Sequence, residues 1–333
     1  MPDASRLPTI AVLATGGTIA GAQSAAQAVG YVAGAFDIGR LLAAVPALGG
    51  MAVLRPEQIA NVGSQDMRHD VWHALATRIR ALAADASIDG IVVTHGTDTL
   101  EETAYFLDLV TAPGKPLVLT GAMRPATALG ADGPANLYAA VALAAHEQAR
   151  GRGALVLMNE HIHEARGVQK IAATGLAAFD SPDRGTAGVM QAGRPRFHRP
   201  AAARRVAWPD APLPDTAQWP RVGIVYAHAD MQADVVEYMA QRYQGLVLAG
   251  VGDGNAGADA MRALADAASR GVAVVRASRT GRGHVAPNVE VDDEALGFIA
   301  AGDLNPQKAR VLLMLALMSN TDRAALRRCF EAA

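Results

Sequence analysis

Cysteine is almost missing from this 333-residue chain: Cys329 stands alone, so no intrachain disulfide can form. The fold must therefore rest on buried apolar surface, and Cys329 reads as a small apolar filler in a C-terminal helix. The lack of disulfides fits a reducing compartment. A cytoplasmic location is the expectation, with a mature periplasmic form that has lost its leader as the alternative. Aromatic residues make up only 5% of the chain, and 30 basic against 32 acidic residues leave a formal charge of −2 with no block of one sign. Neither nucleic acid nor an anionic membrane is an expected partner. Residues 7–36 contain no Asp, Glu, Lys or Arg. Their apolar part nevertheless ends at about Ala14, and Thr, Gly, Ser and Gln follow, which argues against a membrane span or signal peptide. His161 and His163 have H-x-H spacing but belong to no zinc-like set, and they read as surface or loop residues. No metal and no cofactor is expected.

What the chain has in quantity is apolar residues, 51% of the total, arranged as short strands alternating with helices. "TIAVLAT" (9–15), "GIVVTHG" (90–96), "KPLVLTGAM" (115–123) and "GALVLMN" (153–159) read as buried strands. Between them, "RHDVWHALATRIRALAAD" (68–85) sets Val71, Leu75, Ile79 and Leu82 on one helical face. "TLEETAYFLDLV" (99–110) opens with Thr99 and Glu102 at capping-box spacing, and "NLYAAVALAAHEQA" (136–149) is a further helix. This alternation predicts an α/β protein whose large N-terminal domain has a mainly parallel sheet flanked by helices.

The rhythm breaks at about residue 193, where 28 residues carry six prolines. It resumes with strands in "RVGIVYAH", "GLVLAGVG" and "VAVVRAS", and with helices in "VVEYMAQRY" and "ADAMRALADAASRG". In "NPQKARVLLMLALM", Asn305 and Pro306 suit the N-cap and first turn of a helix. The expected organisation is a large domain over 7–196, a Pro-rich linker over 197–219, and a smaller C-terminal α/β domain over 220–333.

Four strand ends carry unusual residues: Thr15-Gly16-Gly17-Thr18, Ser64-Gln65-Asp66, Thr94-His95-Gly96-Thr97-Asp98-Thr99 and Gly121-Ala122. In a parallel sheet such ends converge on one crevice. Neither a dinucleotide fingerprint, nor a Walker A lysine, nor a G-x-S-x-G elbow is present. Hydroxyls beside glycines suit a nucleophile whose surrounding N–H groups stabilise an oxyanion, provided that a base takes the hydroxyl proton. Taken singly, each residue has a plainer reading. Thr15, Thr18 and Asp98 would be capping groups, Tyr31 surface, Lys170 a solvated lysine, and His95 a hydrogen-bonded structural histidine.

The strings "LATGGTIAG", "GSQDM", "THGTDTLEETAYFLDL", "GAMRP", "ADGPANLY" and "LNPQKARVLLMLAL", in this order, resemble the bacterial-type L-asparaginases, the asparaginase/glutaminase amidohydrolases. The resemblance runs from about residue 8 to the C-terminus. It implies that Thr18 is the primary nucleophile, assisted by Tyr31 of a mobile closing loop. Thr97, Asp98 and Lys170 match a second catalytic group. Ser64 and Gln65 match residues that hold the α-carboxylate and α-amino ends of the substrate, and Asp98 also grips the amine. The carbonyl of Ala122 matches the group that receives the side-chain amide nitrogen. Asn255 and Glu290 match groups that reach the site of a neighbouring subunit, in a homotetramer built as a dimer of dimers. Glu290 is chosen over Asp292, Asp293 and Glu294 by alignment of the motif. Asp253 stands where some relatives have an amide, and an extra carboxylate there would alter affinity or the asparagine/glutamine preference.

The implied reaction is hydrolysis of L-asparagine to L-aspartate and ammonia, with weaker L-glutaminase activity. Two other readings stay open. One is an ammonia-donating amidotransferase subunit, although relatives of that kind carry an added N-terminal domain and the motif here begins at residue 13. The other is a non-catalytic amino-acid sensor, against which the joint presence of Thr18, Tyr31, Thr97, Asp98 and Lys170 argues.

Overall fold

The uncharged run Thr9–Gly16 must pair its backbone groups to be buried, and its β-branched Thr9, Ile10, Val12 and Thr15 suit a strand. In the computed structural model, which describes residues 6–23, 30, 32–111, 114–201, 211–319 and 321–333, it forms strand β1 and is buried along its whole length. The chain divides into two compact units, Met1–Pro212 and Leu213–Ala333. The linker expected over 197–219 includes 202–210, which lie outside the described residues.

In the first unit, β1 is followed by α1 (Ile38–Ala43), β2 (Val53–Val62), α2 (His69–Ala84), β3 (Gly90–Thr94), α3 (Leu100–Val110), β4 (Leu117–Thr120), α4 (Gly133–Ala144) and β5 (Ala154–Met158). The five strands are parallel and lie in the order β2-β1-β3-β4-β5. The chain therefore steps one way from β1 to β2 and then back across to β3, so the strand order reverses between β1 and β3. A crevice opens at such a switch point, beyond the carboxyl ends of the strands.

Ile10, Val12 and Ala14 of β1 share one apolar cluster with Ile38 and Leu41 of α1 and with Leu137, Ala140 and Val141 of α4. Helices α1 and α4 thus cover the same face of the sheet, although β1-α1-β2 and β4-α4-β5 advance across it in opposite directions. The two crossovers have opposite hands, and one of them departs from the right-handed rule.

Several local expectations are corrected. The α/β alternation ends at β5 rather than near residue 193. Antiparallel strands β6 (His161–Glu164), β9 (Gly188–Gln191) and β10 (Arg194–Phe197) extend the sheet, and β7 (Gln169–Lys170) pairs with β8 (Phe179–Asp180) in a separate ribbon. Side chains of a strand point alternately to its two faces; accordingly His161 is exposed while His163, expected at the surface, is 1% exposed with Nδ1 on Ser181 Oγ. The buried face of α2 holds Leu75, Ile79 and Leu82 as expected but takes Trp72 in place of Val71, its indole stacked on Phe106 with ring centroids 4.7 Å apart. Helix α4 starts at Gly133, with Pro134 in its first turn. Thr99 occupies the N-cap position of α3 but makes no side-chain cap bond; its hydroxyl donates to the Ser64 carbonyl at 2.8 Å.

The second unit contains β11 (Val222–Tyr226), α5 (Asp234–Ala240), β12 (Gly245–Gly250), α6 (Ala258–Ser269), β13 (Ala273–Ser278), α7 (Asp293–Leu296), β14 (Phe298–Ala300), α8 (Pro306–Ser319) and α9 (Arg323–Ala332). Its four strands are parallel in sequence order. Asn305 caps α8 through the Lys308 amide at 3.0 Å, and Cys329 is half-buried in α9. The loops of this unit are gathered by one buried ion pair. Arg276 on β13 is fully buried and bonds Asp293 in bidentate fashion, at 2.6 and 2.7 Å. Its remaining donors reach the carbonyls of Asp253 at 2.6 Å and Ala286 at 3.2 Å, and Asp293 also accepts the Asn288 amide at 2.9 Å. Such a pair need not stabilise more than apolar residues would, but removing one partner strands a buried charge. Asp293→Ala is expected to cost about 3–5 kcal/mol in denaturant unfolding; a loss below about 1 kcal/mol, the worth of an exposed pair, contradicts this role.

Candidate active site

The two loops at the switch point touch through bare backbone. Gly17 has a φ of +80°, and a Cβ placed on it would lie 2.3 Å from Gly96 Cα. A Cβ on Gly96 would in turn fall 2.7 Å from Ser64 Oγ. Only residues without side chains allow this approach, and it brings the loop carrying Thr18 against the loop carrying Thr97. Thr15 ties the same strands together by donating to the Thr94 carbonyl at 3.0 Å. Thr18 opens a short 3-10 turn over Thr18–Ala20 and is 8% exposed. Ala22 and Val32 then pair as an antiparallel bridge, and the Gly34 amide returns to the Gly17 carbonyl at 3.1 Å. Tyr31, expected to assist Thr18, lies outside the described residues.

Lys170 reaches this place from the β7–β8 ribbon. Its Nζ donates to Thr97 Oγ1 at 3.0 Å and to Asp98 Oδ1 at 2.6 Å. The lysine side chain is 16% exposed and that of Asp98 59%, so the ammonium is largely enclosed while the carboxylate keeps an open side. Ser64 Oγ accepts the Asp98 amide at 3.0 Å and lies 3.4 Å from Asp98 Oδ2. Gln65 is exposed beside it, with its Nε2 on Asp66.

Ala122 is fully buried in the loop after β4. Asp132 fixes that loop by accepting the amides of Met123 and Arg124, each at 2.9 Å, and Asn136 donates to the Gly121 carbonyl at 3.0 Å. Sequence reasoning assigned no role to Asp132 or Asn136. Their signal lay in "ADGPANLY", whose polar residues come just before and within the first turn of α4. It likewise overlooked Glu101, a 3% exposed carboxylate that accepts the Lys170 main-chain amide at 2.6 Å.

In the second unit, Asn255 Nδ2 donates to Glu290 Oε1 at 2.8 Å. The neighbouring acids have other tasks: Asp292 caps α7 through the Ala295 amide, Asp293 holds Arg276, and Glu294 lies 4.0 Å from Arg327. Glu290 is exposed. Asp253 turns its carboxylate to the Ala286 amide at 3.3 Å. Among the described residues, no group of three or more His, Cys, Asp or Glu side chains could hold a metal ion, and no helix is long and apolar enough to cross a membrane.

An α/β sheet whose switch point joins two threonine-bearing loops to a lysine–carboxylate pair has the layout of a site for a small polar molecule. Comparison with known proteins is more definite. Residues 9–203 match the family described as "Asparaginase, N-terminal", and residues 221–330 match "Glutaminase/Asparaginase C-terminal domain". The chain belongs to the asparaginase/glutaminase family. It is 44% identical over 330 residues to a "Probable L-asparaginase periplasmic" of Haemophilus influenzae, covering 99% of this chain and 94% of that one. Against "L-asparaginase 2" of Escherichia coli it is 44% identical over 326 residues, covering 98% and 93%. Against a "Glutaminase-asparaginase" of Pseudomonas fluorescens it is 40% identical over 329 residues, covering 98% and 91%.

His95, next to the Gly17–Gly96 contact, is fully buried and hydrogen-bonded at both nitrogens. Nδ1 lies 2.6 Å from the Gly96 carbonyl and Nε2 lies 2.9 Å from Thr103 Oγ1, which accepts the Trp72 indole N–H at 2.8 Å. A carbonyl only accepts and an indole only donates, so one proton order satisfies the whole chain: Trp72 to Thr103, Thr103 to His95 Nε2, and His95 Nδ1–H to Gly96. A second proton on the ring would reverse the Thr103 bond and place a charge in a site without solvent. Burial accordingly lowers the His95 pKa from near 6.5 to about 4. The depressed folded value makes this contribution complete above pH 6.5. It is lost as pH falls from 6.5 to 4, where only the unfolded chain binds the proton, by roughly 3 kcal/mol in all. Denaturation midpoints measured across that window should fall more steeply for the wild type than for His95→Gln. Parallel curves would mean that the native ring takes up its proton freely.

Proposed function

We propose that this protein hydrolyses L-asparagine to L-aspartate and ammonia, with slower hydrolysis of L-glutamine. The Lys170 ammonium bound to Thr97 and Asp98 at 3.0 and 2.6 Å, on a loop in backbone contact with that of Thr18, carries the reading. The hydroxyl of Thr18 attacks the side-chain amide carbon, and the tetrahedral intermediate collapses to an aspartyl ester as ammonia leaves with the proton. Water then adds to the ester, giving aspartate and restoring the hydroxyl. Thr97 and Lys170 are within hydrogen-bond reach of each other and move the protons. Asp98 holds Lys170 on one side and offers its exposed side to the substrate ammonium. Ser64 and Gln65 bind the rest of the α-amino-acid end, and the Ala122 carbonyl receives the amide nitrogen. Tyr31 assists Thr18. The extra methylene of glutamine allows discrimination by only ~1–3 kcal/mol, which is consistent with activity on both amides.

The Asn255–Glu290 pair, half-buried at Asn255 and exposed at Glu290, is proposed to complete the site of a neighbouring copy within a homotetramer. No metal or cofactor takes part in this scheme. The lone cysteine fits a cytoplasmic protein, whereas the Haemophilus influenzae relative is named as periplasmic; cell fractionation separates the two.

Ammonia release from L-asparagine, L-glutamine and D-asparagine tests the reading. Thr18→Ala and Thr97→Val should each lower kcat by about two orders of magnitude or more while the protein stays folded, because each removes a hydroxyl used in the transition state. Thr18→Ala and Glu290→Ala chains, unfolded together and refolded as a mixture, should regain part of the wild-type rate through sites that hold both residues. Near-normal turnover in either threonine variant, or no turnover of any amide by the wild type, contradicts the assignment; the latter result favours a sensor.

A further inference from the structure

We infer that Glu101 is a positioning residue that sets the reach of Lys170 by holding the lysine's main chain; this rests on the amidohydrolase reading above. Lys170 lies in a ribbon of two-residue strands, in which Gln169 faces Asp180 and Lys170 faces Phe179. So short a pairing is marginal by itself, and a lysine carried on it has four rotatable side-chain bonds. Its Nζ nevertheless meets Thr97 and Asp98 at 3.0 and 2.6 Å. A flexible side chain reaches a fixed target reproducibly only when its own backbone is fixed relative to that target.

Glu101 provides that fixture. It lies in the first turn of α3, directly after the segment that carries Thr97 and Asp98, and is 3% exposed. Its Oε2 accepts the Lys170 N–H at 2.6 Å across 69 residues of sequence, the short distance of a charge-assisted bond. Buried carboxylates are retained only where they are paired or hydrogen-bonded, and the N-terminal turn of a helix favours negative charge. The segment from Thr97 to Glu101 therefore holds Lys170 at both ends: two side chains take its Nζ and a third takes its main-chain amide. Glu101 has no part in the bond-making steps; its effect on them passes through the lysine.

The test compares Glu101→Ala, Glu101→Gln and Glu101→Asp by kinetics with L-asparagine and by amide hydrogen exchange at Lys170. Glu101→Ala should lower kcat by roughly tenfold to a hundredfold, the scale of an ångström-size misplacement, with little change in KM. It should also speed exchange of the Lys170 amide. Glu101→Gln keeps an acceptor oxygen at the same reach, so it should restore the protection and most of kcat. Glu101→Asp keeps the charge but is one methylene short, so it should resemble the alanine variant, and it carries the test should Glu101→Ala not fold. Unchanged exchange at Lys170 in Glu101→Ala or Glu101→Asp overturns the tether, whatever the kinetics. Faster exchange with kcat near wild type overturns its role in the reaction. Absence of ammonia release by the wild type refutes the amidohydrolase reading itself, a result distinct from either.

Discussion

Everything at the candidate site depends on a contact between two stretches of backbone. Strands β1 and β3 lie side by side and parallel, so their carboxyl ends open on the same side of the sheet. The chain leaves them in opposite directions, and the loops that follow would diverge if Gly17 and Gly96 did not meet. At a closest approach that excludes any Cβ on Gly17, neither loop can be moved without moving the other. This close approach answers why glycines stand between hydroxyl-bearing residues at the end of a buried strand. The glycines let the loops touch, and the threonines on either side either anchor the strand, as Thr15 does on Thr94, or face the crevice chemistry, as proposed for Thr18.

The surrounding polar groups make that contact rigid without exposing it. His95 ties Gly96 through Thr103 to Trp72, Ser64 holds the Asp98 amide, and Thr99 holds the Ser64 carbonyl. Asp132 and Asn136 fix the loop of Ala122. Each buried donor in this set has an acceptor, so removing one member leaves a partner uncompensated, and loop geometry and stability are coupled. The second unit uses another device for the same end, a single arginine that draws the loops of Asp253, Ala286 and Asn288 around one aspartate.

Much of this was legible in the sequence where the signal is local. Apolar strands with buried faces, such as Gly90–Thr94 and Ala154–Met158, and the Asn305 cap depend on neighbours a few residues apart. The polar strands from His161 to Phe197 have no apolar period, so their addition to the sheet was not visible. Thr99 has the spacing of a cap but is taken by a carbonyl 35 residues away. The motif strings brought Thr18, Thr97, Asp98 and Lys170 forward as candidates. The groups that hold them escaped, because a contact such as Glu101 with Lys170 joins residues that nothing in a linear reading connects.

The central claim is that the hydroxyl of Thr18 forms the covalent bond to substrate while Lys170, Thr97 and Asp98 manage protons and charge. Rapid acid quenching of the enzyme during turnover of L-asparagine, followed by mass spectrometry of its peptides, tests this directly. The account predicts an aspartyl adduct on the peptide that contains Thr18, absent from Thr18→Ala. An adduct on the peptide that contains Thr97, or turnover that persists in Thr18→Ala, contradicts it.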